Sequence, residues 1–225
     1  MTQIPYDIKV AVIYNKIGHD PKQGSYKPNP EWNDDGRTNT IMGLLLTNLP
    51  RNSTYKTLTD IGSGSGKFAA LLSPYFDQIV SVEPNADFVK QQEALIQELN
   101  LENVDIYQDG MPDCLAKINS QAVLVSGALY LTEDWSKSYE LLLSDTTVSW
   151  LAIFDGPDLD TFDASLFHGS YGELSKRKPI VKGDEWLMFK TAEEQGWAAR
   201  LFDIDKDEAM TEGDLADRWL LILER

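Results

Sequence analysis

The sequence predicts an α/β fold: a doubly wound, mostly parallel sheet of seven strands, closed by a C-terminal antiparallel hairpin, with helices on both faces. Three observations predict it. Apolar runs of strand length alternate with helix-length segments from residue 55 onward. The first such strand breaks into a glycine-rich turn that opens directly onto a helix. The last two strand-like runs have no helix between them, so they must pair antiparallel.

Residues 1–17 mix apolar and polar positions and read as a short helix or strand. Residues 18–36 (GHDPKQGSYKPNPEWNDDG) are crowded with Gly, Pro, Asn and Asp, which is loop chemistry. A loop this long in a compact domain is commonly a lid, and Tyr26 and Trp32 favour one that packs on something. Residues 37–49 then place Ile41, Leu44, Leu45 and Leu49 on one helical face, and Pro50 ends that helix.

The first strand is Tyr55–Ile61, followed by Gly62-Ser63-Gly64-Ser65-Gly66 and a helix from Lys67 to Leu72 that Ser73–Asp77 closes. The second strand, Gln78 to Glu83, ends in an acid. Pro84-Asn85-Ala86-Asp87 opens a helix to about Leu99, with proline where a first turn tolerates it. Leu101–Gln108 is the third strand, ending at Asp109-Gly110, and Met111–Ile118 reads as a short helix. Ala122–Val125 is wholly apolar, as a central parallel strand should be, and ends at Ser126-Gly127. Residues 133–144 are helical, and Val148–Phe154 is a further apolar strand ending at Asp155. The pattern is lost from 157 to about 189. Thr191–Gly196 reads as a short helix, and Trp197–Ile204 and Asp217–Leu223 as two strands around the acidic turn DKDEAMTEGD.

Composition bounds the chemistry. A chain of 225 residues with 42% hydrophobic residues is most simply one domain with a sizeable core. Its N-terminus has no basic stretch leading into an apolar one, and no long apolar span occurs, so neither export nor membrane insertion is expected. The single cysteine, Cys114, permits no intrachain disulfide and suits a cytoplasmic setting. With His19 and His168 as the two histidines, a thiolate or imidazole zinc site is not expected. The formal net charge of −16 repels a phosphate backbone, which argues against DNA or bulk RNA as partner.

The spacing Asp60-x-Gly62-x-Gly64-x-Gly66 differs from the dinucleotide fingerprint GxGxxG. It resembles motif I of the class I S-adenosylmethionine (SAM)-dependent methyltransferases, (D/E)xGxGxG. Alone, the turn could also be a glycine-rich hairpin or linker. The strand order extends the resemblance over roughly residues 37–225, including the antiparallel pair at the end.

The resemblance implies a cofactor, SAM, and places for it. Gly62, Ser63, Gly64 and Gly66 would lie under its amino acid and ribose, and Asp60 would accept from its ammonium or brace the turn. Glu83, next to Pro84, would accept both ribose hydroxyls, a device that NAD-binding folds share, with Asn85 near the adenine edge. Asp109, Gly110 and Met111 would form the adenine site. Ser126 stands where methyltransferases acting on nucleic-acid amino groups and on glutamine carry (N/D/S)PP(Y/F/W). Both prolines are missing here, which argues against those substrates. Arg37 would face the methionine carboxylate, as in some small-molecule members.

The implied reaction is methyl transfer, by in-line displacement, to an O or N nucleophile of a small molecule. Such transfer needs water excluded and a nucleophile held about 3 Å from the methyl carbon. His168, in the irregular segment, is the expected general base, and Tyr130, Tyr14 and, more weakly, Tyr171 could orient a substrate. Asp155 could ligate a metal as in catechol-type members, but Ser126 replaces the partner acid, so no metal is expected. Residues 1–36 and about 156–189 would cap the substrate pocket. Lys176, Arg177, Lys178 and Lys182 lie in the second of these, as a solvated basic loop or as part of a pocket for an anionic substrate. Hydride chemistry would want GxGxxG and a Tyr-x-x-x-Lys pair, and Tyr139 is not followed by such a lysine. The other readings are a non-catalytic SAM-binding regulatory protein and a protein or RNA methyltransferase. Oligomeric state is not legible.

Overall fold

The computed structural model describes residues 35–49, 55–156 and 177–225. Helix α1 (Asp35–Asn48) precedes strand β1 (Thr57–Ile61), α2 (Lys67–Leu72), β2 (Gln78–Val82), α3 (Ala86–Leu99), β3 (Val104–Tyr107), β4 (Ala122–Ser126), α4 (Trp135–Ser144), β5 (Trp150–Asp155), α5 (Asp184–Glu194), β6 (Ala198–Asp203), β7 (Glu208–Ala209) and β8 (Trp219–Glu224). The sheet therefore has eight strands rather than seven, in the order β3-β2-β1-β4-β5-β8-β6-β7. The added strand is two residues of the acidic turn, Glu208 and Ala209, paired antiparallel with Asp203 and Phe202.

Strands β1 to β5 pair parallel. β8 runs antiparallel to both β5 and β6, so the expected C-terminal pairing is present. It is not a simple hairpin added at the edge, because β8 inserts between its two neighbours. The burial patterns explain why. All of Trp219–Leu223 is buried, as a strand covered on both faces must be, whereas β6 and the outer strand β3 alternate with solvent.

Side chains alternate between two apolar cores. Leu58, Leu124, Ala152 and Ile222 face one, with Met42 and Leu45 of α1, Leu71 of α2 and Leu95 of α3. Val123, Val125, Ile153 and Leu221 face the other, with Tyr139 and Leu142 of α4 and Met188 of α5. This is the double winding that alternating elements require. One side-chain hydrogen bond ties α1 to β5 and another ties α4 to α5. The Trp150 indole donates to the Asn48 carbonyl at 3.2 Å, and the Tyr139 hydroxyl donates to the Met188 carbonyl at 2.7 Å.

Helix ends follow local chemistry. Asn85 caps α3 by accepting from the Asp87 amide at 2.8 Å, and Asn100 ends it in the left-handed region at φ 52°. Asp134 caps α4 through the Ser136 amide. Helix α5 begins at Asp184, not Thr191. Gly183 opens it, and the Glu185 carboxylate turns back to accept the Gly183 amide at 2.7 Å. The short helix expected at Met111–Ile118 is a 3-10 turn, Asp113–Lys117, and Ser73–Tyr75 forms another after α2.

Most of the expected capping segments, residues 1–34 and 157–176, lie outside the described residues, as do Tyr14, His168 and Tyr171. Arg37 falls in the first turns of α1, and its side chain lies outside the description as well. No helix among the described residues is long and apolar enough to cross a membrane.

Candidate active site

β1 and β4 are neighbours, yet the chain leaves β1 for β2 on one side and β4 for β5 on the other. The crevice beyond their carboxyl ends is the topological switch point, where open α/β sheets bind ligands. The glycine turn occupies it. Gly62, at φ 72°, packs so closely on the residues after β4 that a Cβ there would lie 2.2 Å from the Ala128 Cβ. Gly64, at φ 55°, is the opposite case, with nothing within 4 Å of an added Cβ. One glycine lets the turn seat on the sheet, and the other leaves an open face.

The turn is stitched to the end of β2. The Gly62 and Ser63 amides both donate to the Val82 carbonyl, at 2.9 and 3.2 Å. Glu83, 1% exposed, accepts the Gly64 amide on Oε2 at 2.9 Å and the Asn85 amide on Oε1 at 2.8 Å. Its carboxylate thus lies between the glycine turn and the start of α3, beside the turn it would have to share with a ribose.

Asp60 is fully buried beneath this turn, and neither of its carboxylate oxygens has a hydrogen-bond partner. Burial, reinforced by the Glu83 charge, pushes its pKa up to about 7, and the nearby Ala69 amide offsets that in part. A fully buried carboxyl group without a donor suits a cationic or hydrogen-bond-donating neighbour, and repels an anionic one.

A cavity of about 200 Å³ opens beside the turn, bordered by Gly62, Pro84, Asp109, Gly110, Met111 and Ala128, and by Leu131–Glu133 after β4. This is smaller than the ~300–1,000 Å³ of typical small-molecule sites. Asp109 accepts its neighbour's amide, Gly110, at 2.9 Å, and pairs with the Lys117 ammonium at 2.5 Å. That ammonium holds the Asp109 carboxyl below its ordinary range.

Five expected cofactor residues therefore border one cavity: Gly62, Pro84, Asp109, Gly110 and Met111. Gly64, Ser63, Gly66, Asp60 and Glu83 adjoin it through the turn. Ser126 sits at the end of β4 but does not line the cavity, and its carbonyl packs against Gly62 instead. Tyr130 does not line the cavity; its amide donates to Asp155 at 3.3 Å, and the Arg177 guanidinium donates to its carbonyl and stands 5.7 Å over its ring. Asp155 also accepts the Gly156 amide at 2.9 Å, which makes it a brace for the 130 turn. No group of three or more His, Cys, Asp or Glu among the described residues is placed to hold a metal ion.

Sequence reasoning missed two residues here. Lys117 neutralises Asp109 from eight positions away, across a 3-10 turn whose shape no short motif announces. Gln92 is fully buried on the inner face of α3 and bonds to the glycine turn. The available signal for it was an amide on the face that otherwise carries Leu95 and Leu99.

No protein-family model matches this sequence, and no curated protein matches it. Solved structures do match its fold. The methyltransferase domain of bacterial CtHen1 is similar with a TM-score of 0.56 at 16% identity, over 85% of this chain and 99% of that one. DhpI in its SAH complex gives 0.56 at 13% identity, over 96% and 94%. A SAM-dependent methyltransferase from Aquifex aeolicus gives 0.54 at 14%, over 97% and 98%. At these identities the likeness is one of architecture: the chain has the fold of the class I SAM-dependent methyltransferases.

Proposed function

We propose that this chain binds SAM in the crevice at β1, β2 and β3 and transfers its methyl group to an oxygen or nitrogen of a small molecule. The observation that carries the reading is the joint placement of three acids at successive strand ends around the glycine turn. Glu83 is bonded to Gly64, Asp109 edges the cavity, and Asp60 lies buried beneath the turn. Acids at all three places disfavour a pyrophosphate and favour a ligand with hydroxyl, amino and cationic groups.

When bound, SAM supplies a methyl group already activated by its sulfonium. The chain's own residues bind and orient. Glu83 would accept ribose hydroxyls, Asp109 would accept the adenine amino group, and Met111, Leu131 and Ala128 would keep water from the ring. Asp60 would accept from the ammonium or brace the turn from beneath, and Arg37 is assigned to the carboxylate. For the acceptor, His168 is assigned as general base, with Tyr14 and Tyr130 orienting. The net charge of −16 supports a small-molecule substrate over a nucleic acid, and the single cysteine, Cys114, suits a cytoplasmic setting. The neighbour solved with SAH supports the cofactor.

Calorimetric titration with S-adenosylhomocysteine (SAH) tests the site. Wild type should bind, and Glu83→Ala should bind at least about ten-fold more weakly, the loss expected when a charged hydrogen-bond acceptor is removed. Equal affinities would overturn the assignment of Glu83. Release of SAH from SAM with a metabolite mixture tests turnover, and binding without release would point to a non-catalytic SAM-binding protein.

A further inference from the structure

We infer that Gln92 is a positioning residue, which holds the glycine turn in the shape that receives the ligand. The inference rests on the cofactor reading above and adds a residue outside the strand-end set.

Gln92 comes from the middle of α3, is 0% exposed, and uses both ends of its amide. The Ser81 hydroxyl donates to its Oε1 at 2.7 Å. Its Nε2 donates to the Ser63 hydroxyl at 2.7 Å and to the Gly64 carbonyl at 2.6 Å. Because a carbonyl can only accept, the end facing Gly64 must be the NH2 group, which settles the orientation of the amide. Ser63 then passes the chain on, donating to the Val82 carbonyl at 3.3 Å. One directed sequence of bonds thus runs from β2 through α3 into the turn and back to β2.

The Gly64 residue is consequently gripped at both ends. Its N–H is held by Glu83 and its C=O by Gln92. The two grips differ in access. Glu83 is the group a ligand's hydroxyls would engage, so its hold on the Gly64 amide competes with binding. Gln92 lies behind the turn, where no ligand reaches, and its hold persists. Gly66 is shaped to the same side chain, since a Cβ there would come within 2.9 Å of the Gln92 Cγ. A turn fixed from behind is ordered before the ligand arrives, and its ordering does not have to be supplied by binding.

The test uses Gln92→Leu, which keeps the bulk and removes the amide, with Gln97→Leu on the exposed face of α3 as control. Backbone amide exchange at Ser63–Gly66 and SAH affinity are measured on both, together with thermal unfolding. Gln92→Leu should exchange faster at the turn while β1 stays protected, and should bind SAH about ten-fold more weakly. The control should match wild type in both. Ser63→Ala, which removes the two bonds of the Ser63 hydroxyl but leaves the Gln92 bonds to Gly64 and Ser81 in place, should shift both readouts in the same direction by less, and it serves if Gln92→Leu does not fold. A lowered unfolding temperature with unchanged SAH affinity and unchanged turn exchange would show a merely structural amide and overturn the inference. If wild type takes up no SAH, the cofactor reading falls. Turn exchange then decides alone, and unchanged protection in Gln92→Leu overturns the positioning role.

Discussion

Asp60 carries a fully buried carboxyl group, with the nearby Ala69 amide favouring its charged form and burial opposing it. Its pKa, raised from 3.8 to about 7, means that the folded protein holds this proton more tightly than the unfolded chain. The sign follows. The neutral group's advantage is fully present below pH 4 and is lost as pH rises through 7, a change of about 4 kcal/mol. Asp109, Asp214 and Asp217, whose pKa values are lowered by Lys117, Thr211 and Lys182 respectively, act in the opposite direction, and their stabilisation is lost as pH falls. The prediction is therefore made on a difference. Unfolding of wild type and Asp60→Asn across pH 4–8 should show wild type losing stability relative to the variant as pH rises, and a parallel pair of profiles would contradict it. At this scale the sequence was informative wherever a residue's role follows from its place at a strand end. Gly62, Glu83 and Asp109 could be found that way because punctuation and acid sit next to an apolar run. Lys117 could not, because no short motif announces the 3-10 turn that brings it to Asp109, and Gln92 showed only as an amide on an apolar helix face, because its partners in the turn lie far back along the chain.

The glycine turn behaves as an element in its own right, seated by contact rather than by cap. Gly62→Ala combines a positive φ with a 2.2 Å approach to Ala128. It should cost about 3 kcal/mol, a fall of roughly 10 °C in the unfolding midpoint. Gly64→Ala meets no atom within 4 Å and should cost less, from backbone conformation alone, so calorimetric scans of the two variants separate crowding from strain. A midpoint for Gly62→Ala equal to that of Gly64→Ala would refute the contact argument. Element boundaries were less legible than element types. Helix α5 was expected to start at Thr191 because Trp186-Leu187-Met188-Phe189 is a continuous apolar run with no 3.6-residue period. Its inward face, Met188 and Ala192, is chosen by the sheet it packs on, while Leu187 is left 53% exposed. β7 carried no signal, since both of its residues are exposed and owe their pairing to β6.

Over the whole molecule, alternation of strand and helix was enough to predict a doubly wound sheet, because each face needs its own apolar layer. The order of the last strands was also present in the sequence, in a quieter form. WLLIL is apolar throughout and AARLFD is not, which is the contrast between an interior strand and one nearer the rim. That insertion of β8 has a consequence for how the polypeptide acquires its structure over time. β5 has two partners, β4 made before it and β8 made only long after it, and β6 has no route to the sheet until β8 exists. A nascent chain released after Ile204 would leave the β5 edge bare, a template for joining another copy. Such a truncated chain should protect the amides of β1 and β4 from exchange, leave β6 unprotected, and sediment as oligomers. A monomer with β6 protected would show that the two halves of the sheet assemble independently of the strand between them.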